Sequence, residues 1–185
     1  MTRRVLVLYS TVDGHTREIA ERVVTQIESA GITAELELLT PESHVEPNDY
    51  DAVVLGASIR YGKHRPEVAA FIAEHVAYLA TTPSAFFSVN AVARKPAKQT
   101  PETNPYVRKF LGTIRWQPAL IGIFAGRIDY PRYSFFDRHM IRLIMWMTKG
   151  PTDLAGSFEF TDWEAVDRFG KEFVTLLGTP ETEPQ

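Results

Sequence analysis

The stretch Val7-Leu8-Tyr9-Ser10-Thr11-Val12-Asp13-Gly14-His15-Thr16-Arg17-Glu18-Ile19-Ala20 constrains this chain more than any other. A β-rich apolar run, Val5 to Tyr9, breaks into small polar residues that lead directly into a helical pattern. The pattern predicts a strand, a tight hydroxyl-lined turn and a helix N-terminus. Such a turn aims several backbone N–H groups and the positive end of a helix dipole at one spot, which suits a phosphate. Ser10, Thr11 and Thr16 add hydroxyls, Gly14 permits close backbone approach, and Asp13 and His15 complete the loop. The loop has no Lys, and a nucleoside triphosphate needs cationic and metal help. A single terminal monophosphate fits better. The competing reading is an ordinary strand–helix turn capped by Ser and Thr.

Downstream, apolar strand patterns and helical patterns alternate. Thr16 to Ala30 reads as a helix ended by Gly31, Thr33 to Leu39 as a strand, and Pro41 to Asp49 as a loop. Ala52 to Ala57 is a continuous apolar strand, Ser58 to Arg65 a loop, Pro66 to Leu79 an amphipathic helix and Ala85 to Val89 a fourth strand. Leu120 to Ala125 reads as strand five. The last helix is expected from Asp162 to Leu177, with Thr161 and Glu164 at capping-box spacing. The alternation predicts an α/β fold with a doubly wound parallel sheet, and a ligand at the carboxyl ends of strands one, three and four. Two further loops face that position. One is Gly56-Ala57-Ser58-Ile59-Arg60-Tyr61-Gly62, in which Ile59 and Tyr61 can cover a flat ring. The other is Ser88-Val89-Asn90-Ala91.

The spacing aliphatic, aliphatic, Tyr9, Thr11, Gly14, Thr16, Ala20 resembles the FMN-phosphate signature of the flavodoxin family. The resemblance implies a five-stranded sheet in the order 2-1-3-4-5. It also implies FMN bound by Ser10, Thr11, Asp13, Gly14, His15 and Thr16, with the isoalloxazine between Ala57, Ser58, Ile59, Arg60, Tyr61, Gly62 and Ser88, Val89, Asn90. Arg60, if it lies at the N1 edge, would stabilise an anionic reduced flavin; otherwise it sits in solvent.

At 185 residues the chain is expected to form one domain, 1–178, with a disordered tail, 179–185. The absence of Cys excludes disulfides, thiolate metal sites and iron–sulfur clusters, and no metal-ligand cluster stands out. There is no signal-peptide pattern and no run of about 18 apolar residues that would span a bilayer. Charge is unevenly spread. Between Arg94 and Lys149 eleven Lys and Arg face three carboxylates, a balance of +8, which leaves −11 elsewhere in a chain of net charge −3. A basic segment on an acidic body implies an anionic partner.

That segment fills two inserts flanking strand five, about 91–118 and 126–160. A plain flavodoxin topology would not need them. In a helix from Ser134 to Met147, Phe136, Met140, Leu143, Ile144 and Met147 form an apolar face. Asp137, Arg138 and Arg142 lie opposite with Ile141 and Met145 among them. Such a helix suits a bilayer interface or a lid over an apolar ligand, and packing into the core is the alternative.

A second resemblance is carried by Gly-Ala-Ser-Ile-Arg-Tyr-Gly (56–62), Pro-Ser-Ala-Phe-Phe-Ser-Val-Asn (83–90), Val-Ala-Arg-Lys-Pro (92–96), Tyr-Pro-Arg-Tyr (130–133) and the run 137–145. Together they resemble the bacterial quinone-dependent protoporphyrinogen IX oxidases, and His15 stands where these have a small amide. The resemblance implies removal of six electrons from protoporphyrinogen IX in two-electron steps, a menaquinone or ubiquinone acceptor, and a peripheral place on the cytoplasmic face of the inner membrane, against anionic lipid. Charge and aromatic content nominate Arg94, Lys95, Arg127, Tyr130, Arg132 and Tyr133 for the substrate carboxylates and macrocycle. No side chain declares itself as a catalytic base. An electron carrier and an NAD(P)H:quinone reductase are the alternatives. Nucleic acid is a poorer partner, because the Met and Ile content of the segment suits lipid.

Overall fold

Strands that are apolar without alternation need cover on both faces, and this chain provides two helical layers to supply it. The computed structural model describes residues 3–178, so the expected tail 179–185 lies outside the described residues. In chain order the elements are β1 (Arg4–Ser10), α1 (His15–Ser29), β2 (Thr33–Leu38), β3 (Ala52–Arg60), β4 (Lys63–His64), α2 (Pro66–Glu74), α3 (Val76–Thr81), β5 (Ser84–Val89), α4 (Pro105–Leu111), β6 (Leu120–Phe124), β7 (Arg127–Asp129), α5 (Phe135–Met147), β8 (Ser157–Glu159) and α6 (Trp163–Leu177). The five long strands run parallel in the order β2-β1-β3-β5-β6. This is the expected flavodoxin-like winding, with the short β4 added on β3.

Alternate residues of each strand face opposite helical layers. Val5, Val7, Val54 and Phe87 pack with Ile19, Val23, Ile27, Phe169 and Phe173 of α1 and α6. Leu6, Leu8, Val53, Leu55 and Phe86 pack with Val68, Phe71, Ile72 and Leu79 of α2 and α3. Trp116 completes this second layer, fully buried, its indole N–H donating to Ser84 Oγ at 3.0 Å. Phe87 pairs with a glycine on each neighbouring strand, Gly56 of β3 and Gly122 of β6, and its ring lies over Gly56. A Cβ on Gly56 would fall 2.0 Å from Phe87 Cζ.

Three expected boundaries are corrected. The helix 66–79 is two helices, because His75 leaves helical dihedrals (φ −108°, ψ 20°), with its ring 4.7 Å from that of Phe71. Ser58 to Arg60 belong to β3, which turns back through Tyr61-Gly62 into β4. Both turn residues have positive φ, 51° and 78°, the geometry of a two-residue type I′ hairpin. The N-cap of α6 is Asp162, whose Oδ1 accepts from the Ala165 N–H, rather than Thr161. The Thr161 hydroxyl is engaged elsewhere.

The inserts are ordered around a small core of their own, made of Ile128, Tyr130, Tyr133 and Met145. β7 and β8 pair antiparallel beneath α5. The first insert is pinned by Asn104, which caps α4 by accepting from the Tyr106 and Val107 N–H groups. Its own Nδ2 donates to Asn90 Oδ1 at 3.0 Å and to Lys98 O at 2.9 Å. Among the described residues no helix is long and apolar enough to cross a membrane.

Candidate functional site

A cavity of about 520 Å³ opens at the carboxyl ends of β1, β3 and β5. The sheet order reverses there, because β1 sends the chain outward to β2 while β3 leads the other way, and loops diverging from adjacent strands leave a crevice. Its walls include Thr11, Asp13, His15, Thr16, Ser58, Ile59, Arg60, Tyr61, Gly62, Val89 and Asn90 from the three expected loops. Arg94, Arg127 and Tyr133 also reach it. Ser10, Gly14, Ala57, Ser88, Lys95, Tyr130 and Arg132 do not line it.

The turn after β1 is closed by Gly14 (φ 87°), a left-handed residue that starts α1 and donates its N–H to Thr11 Oγ1 at 3.0 Å. From behind, Arg65 donates to the Thr11 carbonyl at 3.0 Å and pairs with the buried Glu67 at 2.8 Å. Because a trans peptide points its C=O and N–H in opposite directions, this grip turns the Val12 N–H the other way. Ser10 donates its hydroxyl to Glu67 at 3.0 Å, away from the cavity. Two buried hydroxyls in the cavity wall, Thr16 Oγ1 and Ser58 Oγ, have no partner in the protein. Buried hydroxyls are nearly always satisfied, so a ligand's acceptors fit here.

The β5 loop is held by a buried polar chain. Asn90 Nδ2 donates to Ser88 Oγ at 3.3 Å, and Ser88 Oγ meets His64 Nε2 at 3.0 Å. Burial pushes the His64 imidazole down to about 4, so the ring is neutral near pH 7.

α5 roofs the cavity, with Ile141, Ile144 and Met145 turned toward it. The expected apolar face is corrected here. Of its members only Ile144 and Met147 line the cavity, whereas Ile141 and Met145, assigned to the opposite side, pack inward. The outer side exposes Phe135 (79%), Phe136 (66%) and Trp146 (71%), and Met147 (62%) sits at the cavity rim. Arg132, Arg142 and Lys149, on or next to α5 in the chain, are exposed as well. Tyr130 is fully buried with its hydroxyl on Pro151 O at 2.7 Å. Arg94 donates to Ala91 O and to Thr148 O and Oγ1, each at 2.8 Å. That contact ties the first insert to the end of α5.

Arg60 is not in solvent: it lines the cavity with its charge already paired. Its guanidinium lies between Asp13 of the β1 turn at 2.9 Å and Asp137 of α5 at 2.7 Å, with the Tyr133 ring centroid at 5.4 Å. Tyr61 donates to the same Asp137. One cation thus clamps the roof to the turn. Arg60→Met is expected to loosen α5, raising amide exchange in residues 135–147 by about tenfold, or about 1.4 kcal/mol, while α6 exchange stays put. Hydrogen-exchange mass spectrometry reads both, and equal exchange in α5 would show the clamp to be idle. Sequence reasoning missed Asp137, Glu67, Arg65 and Thr161 as parts of this architecture. Each acts through a partner distant in sequence, Arg65 and Glu67 also through each other.

Comparison with known proteins agrees with this geometry. The model of the flavodoxin domain matches residues 6–155, and the chain belongs to the flavodoxin family. Oxidised flavodoxin 1 from Bacillus cereus superposes with a TM-score of 0.57 at 17% identity, covering 93% of this chain and 97% of that one. A WrbA-like flavodoxin from Agrobacterium tumefaciens gives 0.55 at 13% identity, covering 97% and 100%. Within the family, the chain groups with protoporphyrinogen IX dehydrogenase [quinone]. The protein of that name from Escherichia coli K12 is 44% identical over 177 residues, 96% of this chain and 98% of that one. Its namesake from Leishmania major is 44% identical over 172 residues, 92% of this chain and 74% of that one. The family points to a flavin cofactor.

Proposed function

We propose that this chain is an FMN-dependent oxidoreductase that oxidises protoporphyrinogen IX to protoporphyrin IX and delivers the electrons to a membrane quinone, menaquinone or ubiquinone, in heme biosynthesis. The observation that carries the reading is the 44% identity with protoporphyrinogen IX dehydrogenase [quinone] over nearly the full length of both chains, inserts included. The cavity supports it. The unpartnered Thr16 and Ser58 hydroxyls fit a phosphorylated flavin, with Thr11 and the turn's N–H groups at the phosphate end and Ile59, Tyr61, Val89 and Asn90 toward the ring. Bound there, FMN would supply the two-electron redox chemistry that no side chain of this protein offers.

The chain's own residues would then do three things. Ile59, Val89, Ile141, Ile144 and Met145 exclude water from the reacting edge. Arg94 in the wall, with Lys95 and Arg132 outside it, attracts the two carboxylates of the macrocycle, and Arg127 lines the wall already paired with Glu18. Tyr133 bounds the cavity, and Tyr130 supports it by packing. The exposed aromatic side of α5, with the exposed Arg132, Arg142 and Lys149 close to it in the chain, would rest on the anionic cytoplasmic face of the inner membrane, where the quinone dissolves.

The test is anaerobic. FMN-loaded protein mixed with protoporphyrinogen IX and a quinone should generate porphyrin fluorescence only when both flavin and quinone are present. Fluorescence no faster than the uncatalysed rate, with the flavin still reducible by NADPH, would sink the reading in favour of a quinone reductase.

A further inference from the structure

The phosphate end of the cavity has an electrostatic peculiarity. Every arginine around it is already matched: Arg17 with Glu21 at 2.8 Å, Arg127 with Glu18 at 2.8 Å, Arg65 with Glu67 at 2.8 Å, and Arg60 with both Asp13 and Asp137. None brings uncancelled positive charge to an arriving dianion. The remaining group is His15, the first residue of α1, 5% exposed and lining the cavity.

Its orientation is fixed on one side. His15 Nε2 lies 2.6 Å from Thr161 Oγ1, and that hydroxyl donates to Ala125 O at 3.0 Å. A hydroxyl has one proton, so both contacts are satisfied when Thr161 donates to Ala125 and accepts from His15 Nε2–H. In that arrangement the neutral ring carries its hydrogen on Nε2, which leaves Nδ1 as a lone pair. Nδ1 is buried and makes no hydrogen bond, and the Glu18 carboxylate lies 3.4 Å from it. A lone pair cannot donate to a phosphate dianion. Contact requires one more proton, as an imidazolium Nδ1–H facing the dianion or as a phosphate O–H facing Nδ1.

We infer that the site takes up one proton with its phosphate, that His15 is the residue that shares this proton, and that Thr161 is the positioning residue that makes the uptake necessary. The inference rests on the FMN reading above. The charges facing His15 are Glu18 on α1, with Nδ1 to Oε2 at 3.4 Å, Arg127 on β7 and Glu159 on β8, while α6 presents the uncharged edge of Trp163 at 5.9 Å. Burial, followed by Arg127, lowers the pKa of His15 in the empty site, whereas Glu18 and Glu159 oppose this. The free ring is therefore neutral at pH 8. The free phosphate, with its second pKa about 6, is then a dianion. The complex holds one proton that neither free partner holds, and solvent supplies it. The affinity must accordingly fall as pH rises, by about tenfold per unit above both free pKa values.

Calorimetric titration of the flavin-stripped full chain with FMN at pH 8, in Tris and in HEPES, counts the protons, because the two buffers differ in ionisation heat. We expect more than half a proton taken up per FMN, a Kd that rises about tenfold per pH unit from 7 to 8.5, and neither effect with riboflavin. His15→Gln should bind FMN without uptake, since an amide donates without protonation. Thr161→Val should lower the uptake, because the neutral ring can then carry its hydrogen on Nδ1. Less than half a proton in the wild-type chain, or an equal count in His15→Gln, would overturn the inference. The wild-type count decides even if the variants do not fold. FMN that fails to bind at any pH would overturn the cofactor reading as well.

Discussion

Phe136→Asp combined with Trp146→Asp is expected to abolish flotation of this protein with vesicles containing anionic lipid. Both side chains project outward from α5, 66% and 71% exposed, so the fold loses nothing when they change. Burying one large apolar side chain is worth about 1.5–3 kcal/mol, and an interface takes only part of each ring. About 3 kcal/mol for the pair corresponds to a drop in partitioning of about a hundredfold. The new carboxylates add repulsion from the lipid headgroups. Arg142→Gln with Lys149→Gln should cost less, about 1 kcal/mol per cation, and that part alone should vanish in high salt. Wild-type protein that stays with the soluble fraction would remove the membrane from the proposal.

Gly56→Ala is expected to be the most damaging single change to the fold. A Cβ there would lie 2.0 Å from Phe87 Cζ and 2.5 Å from both Cε atoms. The ring has no room to retreat. It is fully buried, with Phe124 and Phe169 each 5.9 Å away between centroids. Overpacking a core usually costs about 1–3 kcal/mol, and an overlap this deep belongs at the upper end or beyond. About 3 kcal/mol would lower Tm by about 6–12 °C in a domain of this size. Adding Phe87→Leu should recover part of the loss, since it removes the ring atoms in conflict. Urea midpoints for the three variants read this directly, and an unchanged midpoint for Gly56→Ala would mean the sheet can open at no cost.

The parts of this architecture legible in the sequence are those whose cause is local. Continuous apolar runs bounded by polar turns mark β1, β3 and β5, and the Thr11–Thr16 turn announces its phosphate-like geometry by spacing alone. Where two residues compete for one role, local reading stops. Thr161 and Asp162 can each cap a helix, and Asp162 does so because Ala125 and His15 occupy the Thr161 hydroxyl. Ser10 looks like a phosphate donor until Glu67, from α2, accepts its hydrogen bond. The hairpin at Tyr61-Gly62 was hidden because tyrosine rarely adopts positive φ. On α5 the wheel located two apolar sides but not which one docks. The inward side carries Asp137 and Arg138, polar residues that a wheel assigns to solvent. Here Arg60 and the backbone carbonyls of Tyr130, Pro131 and Tyr133 satisfy them.

The Asn104–Asn90 contact bears on how such a chain could be shortened or extended. Asn90 ends a strand of the flavodoxin sheet, whereas Asn104 belongs to the insert, and each completes the other's hydrogen bonds in the buried interior. Pruning the insert to recover a plain carrier would take from Asn90 Oδ1 the donors that the insert supplies, Asn104 Nδ2 and the Ala93 N–H. Grafting the insert onto a carrier lacking that asparagine would strand Asn104 instead. Either half-step leaves a buried polar group unsatisfied, at about 1–3 kcal/mol. Trimming and transplanting therefore meet the same barrier, and a passage between the two architectures requires both positions to change together.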